Sequence, residues 1–204
     1  GLGAGEDLTL NAAALQGAVR VFAGAGLTDV TGGAGSDGAF FGNPAAFNSA
    51  NVLNLGANVD TLAFRGNYIG GSALNLTTGQ LGGVDVIGLL SGHINPFGGF
   101  IDTNGFDFDL TLPDGFLGVG GTIDVNGNTL RANESVDVDA SAVQVGSVRF
   151  FLGAGDDIVV GSANADLIFG NLGADQLDGG AGGDTYVYRN VLDSTATSQD
   201  NVIF

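Results

Sequence analysis

From Leu152 to Val187 the chain divides, without a gap, into four consecutive nine-residue units: Leu-Gly-Ala-Gly-Asp-Asp-Ile-Val-Val, Gly-Ser-Ala-Asn-Ala-Asp-Leu-Ile-Phe, Gly-Asn-Leu-Gly-Ala-Asp-Gln-Leu-Asp and Gly-Gly-Ala-Gly-Gly-Asp-Thr-Tyr-Val. Position six is always Asp (Asp157, Asp166, Asp175, Asp184) and position eight is always apolar (Val159, Ile168, Leu177, Tyr186). A unit this short cannot bury its own apolar face, so successive units must stack on one another. Residues seven to nine suit a short strand whose middle side chain points inward. Glycines at positions one, two and four permit positive φ and turn backbone carbonyls toward a common point. Two units then close one turn, and turns stacked at about 4.8 Å pair strand with strand. The fold class expected is all-β, a parallel solenoid.

The pattern resembles the G-G-x-G-x-D-x-U-x nonapeptide of RTX proteins, the hemolysin-type calcium-binding repeats. The last unit and its continuation, Asp-Thr-Tyr-Val-Tyr-Arg-Asn-Val-Leu-Asp-Ser-Thr, is similar to the way RTX arrays end in serralysin-like secreted proteases. The resemblance implies a right-handed parallel β-solenoid leading into a calcium β-roll, with several Ca2+ ions shared between loops. It implies ligand positions at Gly153, Gly155 and Asp157; at Gly161, Ala163, Asn164 and Asp166; at Gly170, Leu172, Gly173 and Asp175; and at Gly179, Gly180, Gly182 and Asp184. Asp157 and Asp175 should lie on one edge, Asp166 and Asp184 on the other. It further implies a bacterial protein held unfolded where calcium is scarce and folding after type I secretion. Leu152, Ser162 and Asn171 replace glycines at positions one or two, and Asn164 replaces one at position four, mildly if it adopts the left-handed backbone that Asn tolerates.

The chemistry of the residues points the same way. Calcium takes six to eight oxygens at about 2.3–2.6 Å, from carboxylates and backbone carbonyls alike, and the repeat supplies both. Without a cation the stack would hold a column of carboxylates and order glycine loops at about 1–2 kcal/mol per residue. Metal binding free energy then becomes folding free energy. Asp and Glu number 22 against 5 Lys and Arg, a formal net charge of −17. That balance excludes nucleic acid as a partner, because nothing here could neutralise a run of phosphates. Cysteine is absent, so disulfides and thiolate metal sites are excluded. No apolar run approaches the roughly 18 residues of a membrane span.

A degraded form of the pattern runs upstream: Leu2-Gly3-Ala4-Gly5-Glu6-Asp7, Ala23-Gly24-Ala25-Gly26, Gly32-Gly33-Ala34-Gly35-Ser36-Asp37, Leu55-Gly56-Ala57-Asn58-Val59-Asp60 and Leu81-Gly82-Gly83-Val84-Asp85. Asp7, Gly33, Gly35, Asp37, Asp60 and Asp85 are the weaker metal candidates; Thr28 stands where an Asp is needed, which argues against a site there. Phe106, Phe108, Leu110 and Leu112 alternate with polar residues, as do Val136, Val138 and Ala140, so both segments read as strands with one wet face. Helix signals are nearly absent, with one short turn at most between Asn11 and Val19. The division expected is an irregular solenoid over 1–151, a regular roll over 152–188 and an extension over 189–204. The chain starts inside a motif and stops at Asn-Val-Ile-Phe, so it reads as part of a longer parent.

Enzyme signals are weak. Gly33-Ala34-Gly35-Ser36-Asp37-Gly38 matches G-x-G-x-x-G, but no helix follows it. His93 is the only histidine, which excludes H-E-x-x-H zinc chemistry and leaves a Ser-His-Asp triad resting on one turn-like residue. The chain is expected to be no enzyme. The first two tail strands are apolar at positions seven, eight and nine, so something should cover them: the preceding Asp-alternating segments folded back as a hairpin, or a neighbouring subunit. The function expected is a calcium-binding structural domain of a secreted or cell-surface protein, self-assembling as RTX surface-layer proteins and adhesins do. The alternative is the non-catalytic C-terminal module of a type I secreted hydrolase.

Overall fold

The computed structural model describes residues 8–23, 27–94, 102–189, 191–194 and 199–203. In chain order its strands are β1 (Leu8–Asn11), β2 (Arg20–Ala23), β3 (Leu27–Thr31), β4 (Gly38–Phe41), β5 (Val52–Asn54), β6 (Thr61–Phe64), β7 (Leu74–Asn75), β8 (Leu81–Gly82) and β9 (Val86–Leu89). They continue as β10 (Phe108–Thr111), β11 (Thr122–Asn126), β12 (Val136–Asp139), β13 (Ser147–Phe151), β14 (Ile158–Val160), β15 (Leu167–Phe169), β16 (Gln176–Asp178), β17 (Thr185–Tyr186) and β18 (Asn201–Ile203). Two short 3-10 turns, Pro44–Ala46 and Gly70–Ser72, are the helical elements of the described residues. Residues 11–19 form turns without a helix.

Every strand pairing among these is parallel, and partners are never consecutive in sequence. One face is a continuous eight-stranded sheet, β2-β4-β6-β9-β11-β13-β15-β17. The opposite face is built in two pieces, β1-β3-β5-β8 and then β7-β10-β12-β14-β16-β18. The chain is thus a two-faced parallel solenoid. The rung between β6 and β9 holds both β7 and β8, so there the second face passes from one sheet to the next. Both of the sheets that reach the tail run through residue 151 without interruption, through β12-β14 and β13-β15.

The core is a stack of equivalent residues, because parallel in-register pairing superposes like positions from rung to rung. On the eight-stranded face the inward column runs Val21, Ala39, Leu62, Ile87, Val125, Phe150, Ile168 and Tyr186. Facing its C-terminal half are Leu110, Val138, Val159 and Leu177, all buried. The position-eight expectation holds for Val159, Ile168 and Leu177, at most 1% exposed, while Tyr186 in the last unit is half-buried and packs against the core. Where the rungs are longer, aromatic rings fill the wider interior. Phe41 and Phe64 stack at 5.8 Å, Phe47 meets each edge-on at 4.9 Å, and Tyr68 bridges Phe64 to Phe108.

One expectation is corrected. The Asp-alternating segments are β10 and β12, parallel neighbours in one sheet with β11 on the other face between them, so they form no hairpin and fold over nothing. Alternation identifies a strand but says nothing about its partner. Their inward and outward faces are as expected: Phe108, Leu110, Val136 and Val138 are buried while Asp137 and Asp139 are exposed. Within this chain the outward side chains of the first two tail strands are accordingly not sealed: Ile158 is 37% exposed and Val160 half-buried on one face, and Leu167 and Phe169 are half-buried on the other. Phe169 instead stacks on Phe151 at 5.0 Å, and the Arg189 guanidinium lies 4.3 Å over its ring, a cation–π contact.

Candidate metal sites in the loop stacks

Each loop of the tail ends on its position-six Asp, which enters the following strand and turns its carboxylate back into the loop. The carboxylate also accepts from the rung before. The Val136 N–H donates to Asp157 Oδ1 (2.8 Å), the Asp157 N–H to Asp175 Oδ1 (3.0 Å) and the Asp175 N–H to Asp200 Oδ1 (3.1 Å). Along the other edge the Val148 N–H donates to Asp166 Oδ1 (2.8 Å) and the Asp166 N–H to Asp184 Oδ1 (2.9 Å). The tail candidates therefore fall into two groups. Gly153, Gly155, Asp157, Gly170, Leu172, Gly173 and Asp175 share one edge, and Gly161, Ala163, Asn164, Asp166, Gly179, Gly180, Gly182 and Asp184 share the other.

The glycines have two separate reasons to be glycine. At position one the carboxylate folds back onto the Cα: an added Cβ would stand 2.4 Å from an Asp Oδ2 at both Gly170 and Gly179. At position four the backbone presses on the preceding rung: a Cβ on Gly155 would meet the Glu134 carbonyl oxygen at 2.0 Å, and one on Gly173 the Gly155 carbonyl oxygen at 2.0 Å. Gly173 and Gly182 also have φ of +131° and +126°, which disfavours any side chain. The left-handed Asn of the tail is Asn171 (φ +65°), not Asn164. Asn164 stays at ordinary φ because its N–H is held by the Ser162 hydroxyl and its side-chain amide donates to the Gln144 carbonyl.

These carboxylates are buried beside one another with no base among them. Asp157 and Asp175 are 0% exposed and Asp166 is 3% exposed. Burial, with the charges of neighbouring Asp residues added, pushes Asp157 up to about 7 and Asp175 up to about 8; burial likewise raises Asp166 and Asp200. Asp175 Oδ2 is buried with no hydrogen-bond donor, a cost that native proteins normally relieve with a partner. The donors available in the loops are carboxylate and carbonyl oxygens, with no His or Cys, a set that fits a hard cation of the calcium type. Among the described residues no three acidic side chains converge on one point, so an ion here must draw on backbone carbonyls as well.

The upstream candidates take the same geometry. The Val19 N–H donates to Asp37 Oδ1 (2.6 Å), the Asp37 N–H to Asp60 Oδ1 (2.6 Å) and the Asp60 N–H to Asp85 Oδ2 (2.8 Å). Within its own loop Asp37 Oδ2 accepts from the Gly33 N–H at 2.7 Å, as Asp157 Oδ2 does from the Gly153 N–H at 3.3 Å. A Cβ on Gly35 would stand 2.5 Å from the Gly17 carbonyl carbon, so Gly35 repeats the close approach of position four. Gly33 to Gly38 leads into strand β4 rather than a helix. Asp7 lies outside the described residues.

Three acids escaped the sequence reading. Asp200 is the third member of the Asp157 edge, hidden because the last rung is 25 residues long where its predecessor is 18. Asp193 is 2% exposed and accepts from the Arg189 N–H at 2.5 Å; it falls nine residues after Asp184, a signal the register did carry. Glu134, 1% exposed, accepts at Oε1 from the Gly92 (2.7 Å) and Phe106 (3.0 Å) N–H groups and at Oε2 from the Arg131 N–H (2.9 Å). It ties both ends of the excursion between β9 and β10 to the turn before β12. Burial opposes its charge, but these bonds, with one from the Ser91 side chain, hold its carboxyl below the usual range.

Residues 151–186 match the family model of the RTX calcium-binding nonapeptide repeat, in four copies. Comparison with curated proteins and with solved structures gave no match.

Proposed function

We propose, from the premise that this chain is an RTX-repeat protein, that it is a calcium-folded structural module of a secreted or cell-surface protein and that it self-associates once folded. Calcium binding by the tail repeats follows from the family match; the residues proposed to hold the ions are the loop carbonyls and Asp157, Asp166, Asp175 and Asp184. The observation that carries the reading is the buried, donor-less Oδ2 of Asp175 within a ladder of like-charged neighbours. A bound divalent cation would supply the missing partner and cancel the repulsion, so ion uptake and ordering of the loops become one event. Repeats of this kind are typically non-catalytic, and the reading assigns the module no reaction.

Secretion is supported by the same repeats, which are typical of secreted bacterial proteins, and by the dependence on a cation that is scarce inside cells. Self-association is supported by the apolar outward residues on both faces of the tail, Ile158 and Val160 on one and Leu167 on the other, and by Phe22, which is 54% exposed and stacks on Phe40 at 5.2 Å at the other end of the long sheet. Sedimentation velocity over a concentration series, in calcium and in chelator, tests it. A calcium-dependent increase in sedimentation coefficient with concentration is expected. A compact monomer at every concentration in calcium would overturn self-association and favour the accessory-module alternative.

A further inference from the structure

We infer that the upstream loop stack centred on Asp60 is a second calcium site, lying outside the residues that match the repeat family. Asp60 is 0% exposed. Its Oδ1 accepts the Asp37 N–H and its own N–H donates to Asp85, while its Oδ2 is buried with no donor. The charges that bear on it are those of Asp37 and Asp85, both negative. A buried carboxylate oxygen facing only like charge is costly unless a cation or a proton completes it.

The arrangement repeats the hydrogen-bond pattern of Asp175. In each, a central Asp receives the N–H of the preceding Asp on Oδ1, leaves Oδ2 orphaned and passes its own N–H to a third Asp. The rungs differ in length, 23 and 25 residues upstream against 18 and 25 in the tail, so the nine-residue frame is lost while the loop corner is kept. Backbone oxygens are crowded at this corner too: a Cβ on Gly56 would stand 2.2 Å from the Gly33 carbonyl oxygen, and one on Gly83 would stand 2.3 Å from the Gly56 carbonyl oxygen. Positive φ at Gly56, Asn58 and Gly83 turns the loops as the tail loops are turned. The donor set is again oxygen alone. An irregular corner rich in carbonyls suits calcium, which tolerates variable geometry, better than magnesium, which demands a near-ideal octahedron.

The inference borrows its ion from the reading of the tail, so the test separates the two. Ions bound per chain are counted by native mass spectrometry in calcium for the full wild-type chain and for Asp60→Asn and Asp175→Asn, with circular dichroism on each. Asp60→Asn is expected to carry at least one ion fewer while keeping the calcium-induced β signal of the tail, and Asp175→Asn is expected to lose ions of its own. An unchanged count in Asp60→Asn would overturn the upstream site and leave the tail reading standing. A wild-type chain with no calcium would overturn both. Should Asp60→Asn fail to fold, crystals of the wild-type chain grown in calcium decide by anomalous density. An ion about 2.3–2.6 Å from Asp60 Oδ2 supports the site, and bare density or a water there refutes it.

Discussion

Replacing Gly173 by Ala isolates the close approach between successive turns. The new methyl would stand 2.0 Å from the Gly155 carbonyl oxygen and 3.0 Å from Asp175 Oδ1, on a backbone with φ of +131°. Holding a side chain at such a φ costs about 1–3 kcal/mol, and prising the two turns apart adds about 1–3 kcal/mol as in other overpacked sites. A total of about 4 kcal/mol is a factor of about 10³ in the folding constant. Because ions are taken up as the loops order, that factor is spread over them. The calcium midpoint of folding should rise about thirty-fold if two ions enter with the transition and about five-fold if four do. Gly183→Ala is the control, since a Cβ there meets nothing within 4 Å, and it should leave the midpoint unchanged or lower it slightly. Calcium titrations followed by far-UV circular dichroism read both. If Gly173→Ala and Gly183→Ala titrate alike, the close contact between turns does not hold the fold, and the reasoning is wrong.

Phe64→Ala should destabilise the calcium-loaded protein by about 3–5 kcal/mol, because Phe64 is 0% exposed and touches Phe41, Phe47 and Tyr68; thermal melts in saturating calcium check it. Glu134→Gln should cost about 2–3 kcal/mol by weakening its charge-assisted bonds. The Glu134 carboxyl is held below its usual range, so the wild-type advantage should be full at neutral pH and should shrink as pH falls below about 4; paired melts across that range show whether it does. Asp157 and Asp175 behave oppositely. Their folded values of about 7 and about 8 lie above those of the unfolded chain, so the metal-free fold binds more protons and weakens as pH rises from about 4 to 8. In chelator, β signal should therefore be greater at pH 5 than at pH 8, while the calcium midpoint should be higher at pH 5 because protons compete for the same oxygens. Equal calcium midpoints at the two pH values would remove these carboxylates from the binding event.

Much of this was readable because the tail keeps a strict period. Nine residues per unit fix at once the two facing inward columns, Val159 with Leu177 and Ile168 with Tyr186, and the two Asp edges. Alternation fixed the faces of Phe108, Leu110, Val136 and Val138 in the same way. What stayed hidden depends on rung length. The passage from one sheet to the next at β7 and β8 lies where no repeat marks a corner, and the pairing of β10 with β12 crosses a whole intervening strand. Asp200 was masked by a lengthened last rung, and Glu134 by being a single acid whose partners are backbone N–H groups 28 and 42 residues away. No side-chain pattern announces such partners.

The central claim is that ion uptake and folding are one event, and a calcium titration of chelator-stripped protein at pH 7.5, followed by far-UV circular dichroism with magnesium as the control, tests it most directly. The account predicts a weakly structured stripped chain that gains β signal cooperatively with calcium and not with magnesium. A stripped chain already carrying its full β signal, and indifferent to calcium, would contradict it.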